Sequence, residues 1–373
     1  MTREKNSPPR PGRGWANHGG YVAVAATNQK TPLPGWGGGG ATTAVKRRPT
    51  ALPSRVAQPP YRPTPPLRGT PPHPGRGVFW LAVFCFLTLP TLAQPSDKPA
   101  YRLFTGTGKS VKYAKMTKAL ATAADVVLFG EEHNNPIAHW LELQVAQDLH
   151  NAKADKLVLA AEMFERDVQP TLAGYVTSCD SVDEKTFLDN TRPWPNYATD
   201  YRPLVELARA HRLRFVGTNA PRPLARQVAK EGAASLTALP VAQQTWLMPL
   251  PLTVDPQRPA YRKMREMFGG DAGHGGGGPA LDKMVAAQAL KDATMAHFIA
   301  AARGPGEVVL HFNGSFHSDW RSGICEYLTQ AAPGTRLVTI STVSQADLGQ
   351  LAKENMGRAD YIIVVPEEMT KTY

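Results

Sequence analysis

From residue 95 onward, short apolar runs alternate with amphipathic stretches. The runs at 126–130 (VVLFG), 157–163 (LVLAAEM), 213–219 (LRFVGTN), 307–313 (EVVLHFN), 336–343 (RLVTISTV) and 360–365 (DYIIVV) are nearly continuous. Unbroken apolarity, rather than strict alternation, is what strands covered on both faces require. Helical periodicity fills the intervals at about 136–152, 201–212, 222–233, 281–302 and 319–332. This order of strands and helices predicts an α/β fold, a mostly parallel central sheet with helices on both faces. Residues 171–203 and 236–279 carry no strand pattern and are expected as helical insertions outside the sheet. There is no internal repeat.

The first quarter of the chain has a different composition. Residues 1–93 hold twelve Lys/Arg against Glu4 alone, whereas the remainder carries 30 basic and 30 acidic residues. A pI near 9.6 would ordinarily point to nucleic acid. Here the excess lies wholly in the leader, so residues 95–373, of a length suited to one large domain, give no reason to expect nucleic acid as a partner. Fifteen of the 34 prolines fall in residues 1–76, a composition that cannot bury an apolar face and predicts disorder for residues 1–77. An Arg76 flank, an apolar run from Val78 to Leu89, Pro90 and small residues up to Ala93 read as a signal peptide over 78–93. The run is short of the ~20 residues of a membrane span. The preceding residues then either lie upstream of the true start or form a tail before a signal anchor. Ala82-Val83-Phe84 before Cys85 lacks the small residue of a lipid-attachment motif. The expected location is the periplasm or cell envelope, with membrane association only through this N-terminal segment.

Beyond the leader the cysteines are Cys179 and Cys325, and sequence leaves open whether they form a disulfide or stay reduced. No CxxCH and no CxxC occurs, which excludes covalent c-type haem and a CxxC-type structural zinc.

Ligands in open α/β sheets collect beyond the carboxyl ends of the strands. Gly130-Glu131-Glu132-His133 leaves the first predicted strand, Glu162 ends the second, Asn219 the third, and Gly314-Ser315-Phe316-His317 leaves the fourth. His133, His317, Glu131 and Glu162 are therefore the candidate catalytic and metal-ligating residues. Imidazole with carboxylate is a ligand set for zinc, manganese or iron in metal-assisted hydrolysis. With 32 glycines and 10 histidines, roughly one Gly-x-x-His arises by chance. Both instances here follow a strand, which raises their weight. Against this, Glu131 and Glu132 could simply favour the positive end of the helix starting near Pro136.

Other candidates are weaker. His139, with Glu142 on the next helical turn, reads equally as a site residue and as a capping or solvent histidine, and Glu165-Arg166-Asp167 reads as an exposed turn. His311 lies inside an apolar strand, as a core histidine does. His274 sits in the glycine-rich stretch GGDAGHGGGGPA, read first as a loop and second as a lid that presents an imidazole. The stretch RPWPNYATDYRP gathers Trp194, Tyr197 and Tyr201 outside the sheet; such aromatics usually pack, but a tyrosine phenolate also ligates haem iron.

Five ordered motifs, LFGEEHNNPIAH, AAEMFERDVQP, GTNAPRPLAR, AAQALKDATMAHFI and FNGSFHSDWRSGI, span Val126 to Ile324. Together they resemble the ChaN-like family of iron-regulated, haem-binding proteins, a branch of the Tiki/TraB/erythromycin-esterase superfamily. The resemblance implies an α/β sheet with a helical insertion, export, and haem as cofactor. It also implies relatives that are metal-dependent peptidases with two Gly-x-x-His motifs, here Gly130–His133 and Gly314–His317, in which Glu131 and Glu162 match the acidic positions. No tyrosine aligns as the haem ligand, so Tyr197, Tyr201 and His274 stand as bare candidates. Two functions follow. The first is an exported haem-binding protein serving iron acquisition; the second is a metal-dependent hydrolase of a small-molecule or peptide substrate. The resemblance ranks haem first, the residues themselves favour hydrolysis, and a homodimer is left open.

Overall fold

The computed structural model describes residues 97–177, 182–269 and 278–373. The leader, the signal-peptide segment, Cys179 and His274 lie outside the described residues. Among the described residues no helix is long and apolar enough to cross a membrane.

Seven strands form one sheet: β1 (Arg102–Thr105), β2 (Val126–Glu131), β3 (Leu157–Glu165), β4 (Phe215–Asn219), β5 (Val308–Gly314), β6 (Leu337–Gln345) and β7 (Tyr361–Pro366). Their order is β1-β7-β6-β2-β5-β3-β4. Every pairing is parallel except β1 with β7. The six apolar runs became β2 to β7. All residues of β2, β3 and β5 are buried, as their unbroken apolarity required. β1 was not anticipated: with four residues and an exposed first position, it is too short to show a period.

The helices are α1 (Tyr113–Ala123), α2 (Pro136–Lys153), α3 (Gln169–Thr177), α4 (Glu184–Thr191), α5 (Arg202–His211), α6 (Arg222–Glu231), α7 (Val241–Gln244), α8 (Pro259–Gly269), α9 (Pro279–Ala302) and α10 (Ile324–Ala331). Val127, Phe129, Leu159 and Phe312 join a core with α1 to α5. Val126, Leu128, Val158 and Val309 join a second core with α6, α8, α9 and α10. Alternation along each strand thus sends successive side chains to opposite helical layers.

α2 begins at Pro136, where a missing N–H costs nothing, and is capped by Asn135, whose side chain accepts from the Ile137 and Ala138 amides. The cap is therefore Asn135 and neither glutamate. Helix was predicted from residue 319, but α10 starts only at Ile324. Trp320, Arg321 and Gly323 all adopt positive φ, and a Cβ on Gly323 would lie 2.5 Å from the His317 carbonyl oxygen. The chain makes only a kinked 3-10 turn at Asp319–Arg321 here and folds back too tightly to be α-helical.

Candidate active site

The strand order places β5 between β2 and β3, so their three carboxyl ends are neighbours. Glu131 lies opposite Gly314 in the β2–β5 register, and the Gly314 N–H donates to Glu162 Oε2 at 2.9 Å. A Cβ on Gly314 would fall 2.7 Å from Cε1 and Nε2 of His133 and 3.7 Å from Glu162 Oε2. Glycine is needed there because the His133 imidazole occupies the space of a side chain.

Both motif histidines are backed by carboxylates. His133 Nδ1 lies 2.7 Å from Glu131 Oε1, with the imidazole side chain 37% exposed, and its ring meets Trp194 edge-on at 4.9 Å. His317 is buried; its Nδ1 pairs with Asp292 Oδ1, and its Nε2 lies 3.2 Å from Glu162 Oε1. Tyr261 donates to the other Asp292 oxygen at 2.9 Å, and the Gln288 amide lies 3.1 Å from His317 Nδ1. Burial alone would lower the His317 pKa, but Glu162 and Asp292 raise it to about 10. Burial would raise Glu162, yet His317 and His133 hold it well below the usual carboxylate range. His133 is desolvated too, and Glu131 and Glu162 nonetheless raise it.

Glu131 and Glu162 act on the His133 ring from different sides. Alternation turns Glu162 toward α9 and Glu131 toward α2. Glu131 meets His139 Nδ1 through Oε2 at 3.3 Å and accepts from the Tyr201 hydroxyl through Oε1 at 2.7 Å. Glu142 Oε2 lies 3.0 Å from the same His139 nitrogen. His139 Nε2 faces the His133 carbonyl oxygen at 3.1 Å and Asp200 at 3.4 Å. Despite desolvation, its histidine neighbours lower Glu131 to about 2. Burial and the Glu131 charge raise Glu142 well above its ordinary value. The four residues singled out from sequence thus fall into two groups: Glu162, His133 and His317 around Gly314, and Glu131 between His133 and the α2 face.

The weaker candidates are placed as follows. His139 is neither a cap nor solvent-facing but buried with Glu142, because the spacing of three puts both on the inward face of α2. Glu165 is no exposed turn residue: it ends β3, is buried, and pairs with Arg192 and Arg222. His311 is the satisfied core histidine expected, engaging Thr218 at 2.8 Å and Asn313 at 3.0 Å. Tyr197 and Tyr201 are buried in a π-helical turn. Tyr197 packs against Phe164 and Phe187, and its phenol has no hydrogen-bond partner. Glu132 ties the end of β2 to β6 through Ser344 and to the residues after β7 through Lys371.

Asp292 and Gln288 were missed. Their signal was present: two polar residues four apart on a helix face, next to Val285, Ala289, Ala293 and Ala296. Open cavities of about 390 Å³ along α10, about 450 Å³ beside α8 and about 500 Å³ at Tyr113 share no residue with the strand-end cluster.

Residues 116–328 match the family model described as haem-binding uptake, Tiki superfamily, ChaN. No curated protein matches the chain. Among solved structures, one titled as cofacial haem binding to ChaN of Campylobacter jejuni is similar at 15% identity and TM-score 0.53, over 71% of this chain and 96% of that chain. A Bacillus cereus protein is similar at 12% identity and TM-score 0.38, over 68% of this chain and 90% of that chain. The C-terminal region of Pasteurella multocida toxin is similar at 13% identity and TM-score 0.35, over 70% of this chain and 28% of that chain.

Proposed function

Because the chain belongs to the ChaN family of haem-binding uptake proteins in the Tiki superfamily, we propose that it is an exported haem-binding protein of the cell envelope serving iron acquisition. The family match supports haem, and the Arg-flanked apolar run at 78–89 supports export. A haem ligand needs a donor that a porphyrin can approach. The phenols of Tyr197 and Tyr201 are buried, and the second is engaged by Glu131. His133 fits better. Its side chain as a whole is more than one-third exposed and Glu131 holds Nδ1, so Nε2, which lies beside Gly314, is the ring nitrogen left for iron. A carboxylate on the far nitrogen fixes the tautomer and raises the basicity of the ligating one. This is the single observation that carries the residue assignment. Bound haem would supply the iron that is the cargo.

The test is a hemin titration of the full chain, followed by its Soret band. Wild type is expected to saturate with a shifted band, and His133→Ala to lose or alter it. Tyr197→Phe, Tyr201→Phe and His274→Ala are expected to bind unchanged. A response confined to one of these three would move the ligand to that residue, and no saturation in wild type would end the haem reading.

A second reading, metal-dependent hydrolysis of a small-molecule or peptide substrate, is favoured by one observation. Two carboxylate-backed imidazoles, His133 and His317, flank the anionic Glu162 at adjacent strand ends. A bound metal would supply Lewis acidity and a more acidic water. Glu162 would hold or accept a proton there, and His317, fixed by Asp292, would orient Glu162. Metal-stimulated turnover of ester or peptide substrates, lost in Glu162→Gln, is the expected result; turnover that survives this change would reject the reading.

A further inference from the structure

Behind the strand ends lies a cluster that the haem reading uses only at its edge. Glu131, His139 and Glu142 are 1%, 5% and 0% exposed, and one ligand atom from each lies within 4.8 Å of the others. Among the described residues this is the group of three that comes so close. Two of its carboxylate oxygens, Glu131 Oε2 and Glu142 Oε1, are buried without a hydrogen-bond partner. Orphaned buried acceptors are destabilising, the more so when charged, and a cation between them removes that cost.

The histidine is oriented for such a cation. His139 Nε2 lies 3.1 Å from the His133 carbonyl oxygen, which can only accept, so Nε2 carries the proton and donates it there. Nδ1 faces Glu142 Oε2 at 3.0 Å and Glu131 Oε2 at 3.3 Å, the position where its proton would give way to an ion. Metal-bound imidazoles characteristically donate their other N–H to a carbonyl or carboxylate in this way. The spacing of His139 and Glu142 places both on one turn of α2, and the end of β2 brings Glu131 to meet them.

We propose that Glu131, His139 and Glu142 form a buried site for a divalent zinc, manganese or iron ion, separate from the His133–Glu162–His317 group. One imidazole and two carboxylates suit these ions. The ion would keep Glu131 anionic, and the other oxygen of Glu131 holds His133 Nδ1 and the Tyr201 hydroxyl. The site would thus act as a support that orients His133 from behind. It stands independently of both functional readings.

The test uses the full chain, stripped with EDTA and titrated calorimetrically with Zn²⁺ and, separately, Mn²⁺, with bound metal counted by mass spectrometry. Wild type and His317→Ala are each expected to take up one tightly held ion. Glu142→Gln, which keeps the side-chain shape, is expected to lose affinity by about 100-fold while retaining a native circular dichroism spectrum. Should that variant unfold, His139→Asn provides the same comparison. The proposal is overturned if wild type binds neither ion or if Glu142→Gln and His139→Asn bind as wild type does. Loss of the ion in His317→Ala also overturns it, because that places the metal at the strand ends. A failed hemin titration leaves the metal result untouched.

Discussion

Gly130–His133 and Gly314–His317 have the same spelling and both leave the carboxyl end of a central strand, yet they are held in different ways. His133 takes its carboxylate from Glu131, two residues away, and leaves more than a third of its side chain in solvent. His317 is enclosed by Asp292 from α9 and Glu162 from β3. The glycines differ too. A Cβ on Gly130 would meet backbone, Ser315 Cα at 2.9 Å and Ile340 O at 3.0 Å, whereas one on Gly314 would meet the His133 ring. The first motif presents a partly exposed imidazole from the end of a strand. The second ties α9 to the sheet and fixes Glu162 in place. A motif match therefore does not make two histidines equivalent; exposure and partners decide which is available to a ligand and which supports the fold.

The sharpest way to break this contrast is Asp292→Ala. It leaves a buried imidazolium without one of its two counter-charges and should cost about 3–5 kcal/mol in urea denaturation. A loss below about 1 kcal/mol would show that His317 is held no more tightly than His133. The glycines come next. Gly130→Ala should cost about 1–3 kcal/mol, because backbone cannot move aside. Gly314→Ala should cost less stability and instead displace the His133 ring, so its signature is a changed hemin spectrum.

The pH dependence of stability separates the buried histidines of β5 and its following turn. His317 has a folded pKa of about 10 against an ordinary 6.5. Its contribution is complete below pH 6.5 and is lost as pH rises toward 10. His311 is lowered by burial to about 4, so the folded chain binds fewer protons than the unfolded one between pH 4 and 6.5. Stability there should fall as pH drops. His317→Gln is expected to flatten the alkaline limb and His311→Gln the acid limb; a limb unchanged by its own variant would reject that assignment. The smallest effect belongs to His133→Ala, about 0.5 kcal/mol or less in thermal denaturation, since a partly exposed ring supports little of the core. A larger loss would make the first motif structural after all.

Much of the architecture was legible beforehand. The continuous runs at 126–130, 157–163 and 307–313 became strands buried along their whole length, because a strand covered on both faces must be apolar at every position. Four-residue β1 left no period to read. The carboxyl-end rule placed Glu131, His133, Glu162 and His317 at neighbouring strand ends, but it carries no information on which face each side chain takes. His139 is left open between a site and a capping or solvent residue in the sequence, because a single imidazole on a helix gives no sign of what it faces.

The sequence by itself determined the fold class, the strand positions and the motifs at their ends, since these follow from the local periodicity of apolar residues and from short spacings. Only the tertiary structure decided the partners. Asp292 reaches His317 across 25 residues, and Glu162 reaches Gly314 across 152. Placing β5 between β2 and β3 is a global choice of strand order, made by the burial of two helical layers together. Strand alternation then sent Glu131 to α2 and Glu162 to α9, dividing one expected cluster between the two faces of the sheet.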